Sequence, residues 1–318
     1  MAAALGIDVG STNVKAVLID GDGRIRASSA RVLHTEVGGD VVTQDAAQLW
    51  AQVEAAVQEL AREAPDAAPA VGSIGVCSQY SSIVPVDARG TPVGPLVMWQ
   101  DRRGTEPSFE IMSRHPDAFE RWVELHGIPP VGGGLALGHL LVLERRFDRE
   151  ATAAYLEVMD YVVARLTGTI GATQHSMFMS QLCDNRTLGT TRYDPDLLSM
   201  AGVSPERLPP LVPVGATVGT VRADVAEVLG LPARAEVSVG TNDTSTDAVA
   251  TGALSSDRCG GHRHHERAGR HDRDEARRSG SRDPVDAGAV HRPVPGLGRE
   301  RARWSGGAAS ARVADPGR

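Results

Sequence analysis

GIDVGSTNVK, residues 6–15, is the stretch that decides the fold. Apolar residues up to Asp8 and an alternating run from Val14 to Asp20 predict two strands joined by a turn of Gly, Ser, Thr and Asn. A carboxylate at the end of the first strand can hold Mg²⁺ through water, and the turn lets N–H and O–H groups approach phosphate oxygens. We interpret the hairpin as a phosphate-handling site, with an ordinary surface hairpin as the alternative. It is not a Walker A loop, because the sequence contains no GxxxxGK[ST].

The segments that follow the hairpin predict an α/β unit with a mixed sheet flanked by helices. A third strand is expected at Arg24–Val32, a helix capped by Thr43 or Asp45 at Thr43–Ala64, and a buried strand at Val71–Cys77. Farther on, the pattern predicts a strand at Val237–Val239 and helices at Pro116–His126, Gly138–Phe147, Ala151–Leu166, Pro195–Ala201 and Thr244–Gly252.

Composition narrows the class of protein. The 318 residues are 41% hydrophobic and 23% charged, which is typical of a soluble globular chain with room for about two domains. No run of eighteen apolar residues and no basic signal segment occurs, so we expect neither a membrane span nor secretion. Three scattered cysteines fit a reducing cytoplasm better than a disulfide framework or a structural zinc site.

The chain changes character near Arg258. Residues 259–318 carry 13 arginines and 8 acidic residues with a single Leu and a single Trp, and they lack Ile, Phe, Tyr and Met. Such a segment cannot bury enough apolar surface to offset its ordering entropy. We therefore expect a folded domain over residues 1–254 and a disordered, low-complexity tail over 255–318.

Five motifs in order link the first 250 residues to a known family. The hairpin resembles the first phosphate motif of the actin and hexokinase superfamily. Four further segments resemble motifs of the FGGY carbohydrate kinases. They are the strand and loop Ser73–Tyr80 with the returning segment Val84–Gly90, the W-x-D-x-R stretch Trp99–Arg103, the DY…RLTG stretch Asp160–Gly168, and Gly240–Asp243. The resemblance covers that family's N-terminal domain, and it implies a ribonuclease H-like fold.

The resemblance also implies a set of site residues. Asp243 would be the general base that takes a proton from a substrate hydroxyl. The substrate would be a small sugar or polyol, touched by Ser78, Gln79, Tyr80, Trp99 and Asp101. The cofactors would be ATP and Mg²⁺, with Asp8 organising the metal through water, and the nucleotide-binding residues would be Asp8, Gly10, Ser11, Thr12 and Lys15. Neither nucleic acid nor a membrane is expected as a partner, and a homodimer is compatible with the sequence.

Several alternatives stay open at this stage. Asp243 precedes a Thr and could be an ordinary helix cap, while Trp99 could be a packing residue. Tyr80 stands where xylulose and glycerol kinases carry other residues, so the sequence does not identify the sugar. Another kinase of the same superfamily and a non-catalytic sugar-binding module are the competing functions.

The tail has an explanation that needs only the genetic code. One lysine against 32 arginines indicates GC-rich coding DNA. If Cys259–Arg267 is back-translated and read one base later, its codons permit Ala-Val-Val-Ile-Gly-Thr-Thr-Ser, which is similar to the start of the second domain of FGGY kinases. Leu297–Ser305, shifted in the same way, permits Ser-Ala-Glu-Asn-Gly-Leu-Gly-Gly, again similar to a family segment. We therefore favour a frameshift near residues 257–259, which would leave this chain truncated and inactive.

A functional basic tail is the alternative to the frameshift. Arginine- and glycine-rich segments can bind nucleic acid through phosphate contacts, and His262, His264 and His265 could recruit a metal. The interspersed acids and the lack of aromatic residues for base stacking argue against this interpretation.

Overall fold

The computed structural model describes residues 3–147 and 150–250 of the chain. Its strands are β1 (Ala3–Val9), β2 (Asn13–Ile19), β3 (Ile25–Val32), β4 (Glu36–Gly38), β5 (Val41–Gln44), β6 (Val71–Ser78), β7 (Ile83–Val86), β8 (Leu96–Val97), β9 (Ala154–Glu157), β10 (Thr217–Thr220), β11 (Glu236–Ser238) and β12 (Thr241–Asn242). Its helices are α1 (Ala46–Glu63), α2 (Thr105–Arg114), α3 (Ala118–Leu125), α4 (Ala136–Arg146), α5 (Val158–Thr167), α6 (Pro195–Ala201), α7 (Ala223–Leu229) and α8 (Asp243–Ala250).

The larger sheet is mixed, as the sequence predicts. Its strand order is β10-β11-β6-β1-β2-β3, and β12 also pairs with β6. Strands β1, β2 and β3 are antiparallel neighbours, whereas β6 runs parallel to β1, and β11 and β12 run parallel to β6. Alternate residues of β1 are buried, which indicates that one face of the sheet carries the core.

Helix α1 covers that buried face. The side chain of Asp45 caps it by accepting hydrogen bonds from the backbone N–H groups of Ala47 (2.8 Å) and Gln48 (3.1 Å). Asp45 is therefore the cap, and Thr43 lies outside the helix in β5. The apolar stripe predicted for this helix is buried, and it consists of Leu49, Val53, Ala56, Val57 and Leu60.

A second sheet, with strand order β4-β5-β8-β7-β9, has no counterpart in the sequence prediction. It also corrects the helix expected at Ala151–Leu166, because Ala154–Glu157 is a strand that pairs with β7, and α5 begins only at Val158. All four residues of that strand are buried, so the strand lacks the alternation that would separate it from a buried helix. The predicted end of the helix is correct, because Gly168 adopts a left-handed conformation with φ of 75°.

The second sheet and helices α2, α3 and α4 enclose a second core. Trp122 of α3 lies at its centre, fully buried, and its indole N–H donates to the carbonyl oxygen of Gln181 at 3.0 Å. This core lies behind the loops that follow β6 and β8, so it supports the residues that the sequence assigns to substrate binding.

Three predictions fall partly or wholly outside the described residues. The domain boundary at residue 254 and the disordered tail at 255–318 both lie there, as does the end of the helix predicted at Thr244–Gly252. Within the described residues, no helix is both long and apolar enough to cross a bilayer.

Helices α2 and α4 meet at two glycines. A Cβ placed on Gly138 would lie 2.8 Å from the carbonyl oxygen and 2.9 Å from the Cα of Gly104, which precedes α2. Both contacts are to backbone atoms, which cannot rotate away. The close approach fixes how α4 packs, and it requires glycine at both positions.

We expect Gly138→Ala to destabilise the fold, although alanine is the better helix former. The change gains about 1 kcal/mol of helix propensity, but overlap at 2.8–2.9 Å with backbone atoms of Gly104 should cost up to about 3 kcal/mol, so the net effect is a loss of up to about 2 kcal/mol. Chemical denaturation measures the free energy of unfolding. Gly72→Ala is the matched control, since a Cβ there meets nothing within 4 Å and should be neutral or slightly stabilising. Equal stability of both variants would contradict the packing.

Candidate active site

The carboxyl ends of three neighbouring strands meet at one edge of the larger sheet. In register, Asp8 of β1 lies opposite Cys77 of β6, and Cys77 lies opposite Thr241 of β12. Asp243 begins α8 two residues later. Charges on Asp8 and Asp243 both contribute, after desolvation, to raising the pKa of the Cys77 thiol to about 12, so both carboxylates lie near that thiol. Two acids that are far apart in sequence are thus neighbours at this edge.

A cavity of about 400 Å³ opens beside Asp243. It is bounded by the turn after β1, by the loop of residues 79–82 after β6 (the β6–β7 loop), and by Trp99. Its lining residues are Gly10, Ser11, Gln79, Tyr80, Ser81, Trp99, Gly134, Met179, Asp243 and Thr244. Asp243 is the one carboxylate in this described lining, which has no Lys, Arg or His.

Ser11 links the turn to two cavity walls. Its hydroxyl donates to Gln79 Oε1 at 2.8 Å and accepts from the indole N–H of Trp99 at 3.1 Å. The backbone oxygen of Ser11 accepts from Gln44 Nε2 at 2.8 Å, and this bond fixes the turn to the end of β5. Ser11 therefore faces the cavity and orients Gln79 and Trp99, whereas the hydroxyl of Thr12 is exposed and accepts from Asn13 Nδ2.

The β6–β7 loop is held by a buried carboxylate. The two oxygens of Glu157 accept from the backbone N–H groups of Ser81 (3.1 Å) and Ser82 (3.0 Å). Ser81 has a left-handed φ of 59°, a conformation that costs a non-glycine residue energy unless its surroundings fix it. Burial and, to a lesser degree, the charge of Asp160 raise the pKa of Glu157 well above its usual range. Glu157 had no signal in the sequence.

Asp8 and Lys15 border a different and larger opening. Their side chains lie 3.6 Å apart and line a groove of about 830 Å³ on the sheet face opposite α1. Cys77 and Thr246 line the same groove, so it reaches the edge where Asp243 stands.

Besides Asp8 and Lys15, three predicted site residues lie outside the described cavity lining, and they are Ser78, Thr12 and Asp101. The Ser78 hydroxyl is buried and donates to the Gln79 carbonyl oxygen, and Thr12 is exposed. The Asp101 carboxylate is fully buried, accepts from the Val42 N–H at 2.9 Å, and pairs with the Arg103 guanidinium at 2.7 Å. These hydrogen bonds hold the pKa of Asp101 below its ordinary value despite burial. Asp101 thus braces the segment that carries Trp99.

The base of α8 is ordered by polar contacts that the sequence did not reveal. The side-chain oxygen of Asn242 accepts from the Ser245 N–H at 2.9 Å, and its amide nitrogen lies 3.1 Å from His175 Nε2. Since that amide donates, His175 Nε2 is the acceptor, and burial lowers the pKa of His175 in agreement with a neutral ring. Gly134 and Met179, which also line the cavity, belong to loops without any motif.

We expect Ser11→Ala to change the surroundings of Trp99. Removing the hydroxyl deletes the acceptor of the indole and the donor to Gln79 Oε1. The Trp99 fluorescence, isolated by subtracting the spectrum of a Trp99→Phe variant, should therefore shift in wavelength. The matched change Thr12→Ala removes the neighbouring hydroxyl, whose partner is Asn13 Nδ2, and should leave the emission unchanged. Identical spectra for Ser11→Ala and the parent chain would show that the Ser11 hydroxyl does not link Trp99 to Gln79.

Comparisons with known proteins agree on one family. Residues 3–250 match the sequence model of the FGGY family of carbohydrate kinases, N-terminal domain. A xylulose kinase from Streptomyces rubiginosus is 28% identical over 250 residues, which cover 78% of this chain and 50% of that protein. An erythritol kinase from Brucella abortus is 28% identical over 261 residues, covering 81% of this chain and 48% of that protein.

Solved structures show the same fold. A xylulose kinase from Rhodospirillum rubrum superposes with a TM-score of 0.71 at 24% identity, over 79% of this chain and 51% of that one. Plasmodium falciparum glycerol kinase with ADP gives a TM-score of 0.69 at 16% identity, over 78% and 50% of the two chains. The chain spans about half the length of the relatives it matches. It therefore belongs to the FGGY family of carbohydrate kinases, which are phosphotransferases acting on alcohol groups, and it carries that family's N-terminal domain.

Proposed function

We propose that this domain binds a small neutral sugar or polyol and, within a complete kinase, directs the transfer of the γ-phosphoryl group of ATP to one of its hydroxyls. The observation that carries the proposal is the position of Asp243. Its carboxylate lines the same cavity as hydrogen-bonding groups suited to a sugar, Ser11 and Gln79, and the same cavity as the turn at Gly10.

The chemistry assigned to Asp243 is general-base catalysis. The hydroxyl oxygen of the substrate attacks the γ-phosphorus, the bond from that phosphorus to the bridging oxygen of ADP breaks, and the hydroxyl proton passes to the Asp243 carboxylate. Carboxylates in this role contribute about 10²–10⁴-fold to a rate. The other residues of this chain position the hydroxyl and exclude water, which supplies much of the remaining acceleration.

The residues at the sheet edge fit Mg²⁺ and nucleotide phosphates. Asp8 and Asp243 offer the oxygen ligands that this hard cation prefers, and both stand near Cys77. A Cβ on Gly10 would lie 3.5 Å from the Asn13 carbonyl oxygen, so the absence of a side chain leaves the turn open to close approach. When bound, the metal would neutralise charge on the phosphates. Asp8 would orient its waters, and Lys15 and Thr12 would face the phosphates.

The lining of the cavity favours an uncharged substrate. Asp243 is a carboxylate, and the described lining has no cationic side chain to pair with a substrate carboxylate or phosphate. An acidic sugar would therefore meet repulsion without compensation. Trp99, which is 46% exposed, offers an apolar face to the C–H side of the sugar while Gln79 and Ser11 bind its hydroxyls.

The 318-residue chain itself is proposed to be catalytically incompetent. The frameshift interpretation places the residues that would form the second domain of a complete kinase out of frame after about residue 258. Without that domain little holds the γ-phosphoryl group in line with the hydroxyl, and a misplacement of about 1 Å can cost about a hundredfold in rate.

Asp243→Asn should strongly lower turnover without abolishing sugar binding. We expect sugar-dependent ATP turnover of the frame-restored protein to fall by about 10²–10⁴-fold, since an amide cannot accept the proton. Asp247→Asn, a change of the same type at an exposed position of α8, is the control and should keep most of the turnover. Binding is followed by Trp99 fluorescence with D-xylulose, erythritol and glycerol. Sugar binding without turnover in any version would instead support a sugar-binding module, and turnover confined to a non-carbohydrate acceptor would support another kinase class.

A one-base correction near codon 258 should convert an inactive chain into an active one. We would compare ATP turnover and thermal unfolding of the 318-residue chain and the corrected chain, using the same sugars. The corrected chain should turn over ATP in a sugar-dependent way and unfold at a higher temperature, because its added domain buries surface of the first. Equal turnover from both chains would refute the frameshift interpretation.

A further inference from the structure

His139 is a buried histidine whose two ring nitrogens both face backbone carbonyls. It lies on α4 and has no exposed surface. Its Nδ1 is 2.9 Å from the carbonyl oxygen of Ser81, and its Nε2 is 3.1 Å from the carbonyl oxygen of Asp101. Ser81 belongs to the β6–β7 loop with Gln79 and Tyr80. Asp101 ends the segment 99–101 that begins with Trp99, which we call the Trp99 segment.

Donor counting makes this arrangement unusual. A carbonyl oxygen can only accept, and a neutral imidazole has a single N–H. The neutral ring can therefore satisfy one of the two carbonyls and must turn an unprotonated nitrogen toward the other. Only the doubly protonated ring donates to both. The number of hydrogen bonds by which this ring joins the β6–β7 loop to the Trp99 segment thus depends on one proton.

The surroundings of the ring act in opposite directions on that proton. Burial disfavours the cation and lowers the pKa of His139, while hydrogen bonds to the backbone and the charge of Asp101 oppose this shift. Asp101 is itself paired with Arg103, which weakens its field at the ring. Glu157 accepts from the Ser82 N–H at 3.0 Å, which is the other end of the peptide unit whose carbonyl faces His139. The effect of burial is the larger one, so the pKa of His139 is lowered. The doubly protonated ring, which donates to both carbonyls, therefore forms at a lower pH than in an ordinary histidine.

We propose that His139 is a positioning residue of the sugar site, which ties the β6–β7 loop to the Trp99 segment when both its nitrogens are protonated and releases one wall when it loses a proton. Its effect on sugar affinity rests on the proposed function, whereas its effect on Trp99 does not. The loop also has a direct link to the segment, since the Ser82 hydroxyl accepts from the Trp99 N–H at 3.1 Å. Loss of the tie should therefore loosen the cavity without unfolding it.

The first experiment needs no ligand. In the 318-residue chain labelled with ¹⁵N, the ring nitrogens of His139, identified by their loss in His139→Gln, and the indole N–H of Trp99, identified by its loss in Trp99→Phe, are followed against pH. We expect the indole signal to move with the midpoint of the His139 ring. His139→Gln should abolish that movement. The control His126→Gln, at a buried histidine that faces the Phe178 carbonyl, should preserve it.

A side chain with at least two N–H donors at every pH should remove the pH dependence. His139→Lys carries three N–H donors when charged and two when burial neutralises it, so the Trp99 signal should stay at the position that the parent chain reaches in acid. If this variant does not fold, the comparison of the parent chain with His139→Gln still tests the proposal. A His139 ring that keeps a single proton across the whole range in which the chain is folded would overturn the proposal, and so would an unchanged titration of Trp99 in His139→Gln.

The second experiment measures sugar affinity. Dissociation constants for D-xylulose, erythritol and glycerol are measured by Trp99 fluorescence on either side of the midpoint. The loss of one charged hydrogen bond should raise the dissociation constant by about tenfold at the higher pH, and His139→Lys should show no such change. If no sugar binds at any pH while the indole signal still follows His139, the proposed function fails and the positioning role stands. Sugar binding that is independent of pH in the parent chain would contradict the positioning role alone.

Discussion

The parallel pairing of β6 with β1 is the constraint on which the site depends. It sets Asp8 opposite Cys77, and the pairing of β12 with the same strand then delivers Asp243 to that edge. A shift of one residue in either register would move these side chains to the other face of the sheet. The burial of alternate residues in β1 beneath α1 makes such a shift costly, so packing of the core fixes the geometry of the edge.

The loops around the cavity are held by buried polar groups rather than by regular structure. Glu157 satisfies two backbone N–H groups of the β6–β7 loop, and Asp101 satisfies the Val42 N–H and Arg103. Burial also raises the pKa of Asp160, next to this region, to about 8. A buried acid with a raised pKa contributes fully to folding below its ordinary pKa of 3.8 and loses that contribution as the pH rises from there to about 8. Burying Asp160 therefore lowers the stability of the folded chain at neutral pH, and this is the cost of a polar group inside this region.

Local sequence signals predicted the parts of the fold that depend on local interactions. The turn residues of the first hairpin and the Asp45 cap of α1 specify their elements within a few positions, and both predictions are confirmed. The second sheet escaped prediction because its strands are two to four residues long and pair only over long distances. Ala154–Glu157 adopts the strand state through its pairing with β7, which no window of sequence contains.

The cavity residues also divide into those that a sequence motif predicts and those whose role appears only in the folded chain. Ser11, Gln79, Trp99 and Asp243 belong to motifs and line the cavity together. Asp101 belongs to an equally clear motif, yet its carboxylate is buried against Arg103, because a pattern of residue types does not say which way a side chain points. Glu157 and His139 carry no motif at all. Their importance arises from backbone groups that only the folded chain brings within reach.

The partners of the acids support the proposal that Asp243 is the one that accepts a proton. Four carboxylates surround the described site, and three are engaged by other elements. Asp8 faces Lys15, Asp101 is paired with Arg103, and Glu157 accepts from the β6–β7 loop. The Asp243 carboxylate instead accepts from the N–H and the hydroxyl of Thr244, the next residue in its own helix. Within the part of the chain that the structure describes, Asp243 is held by hydrogen bonds of its own turn, so it can face the cavity and take up a proton without breaking a tertiary hydrogen bond.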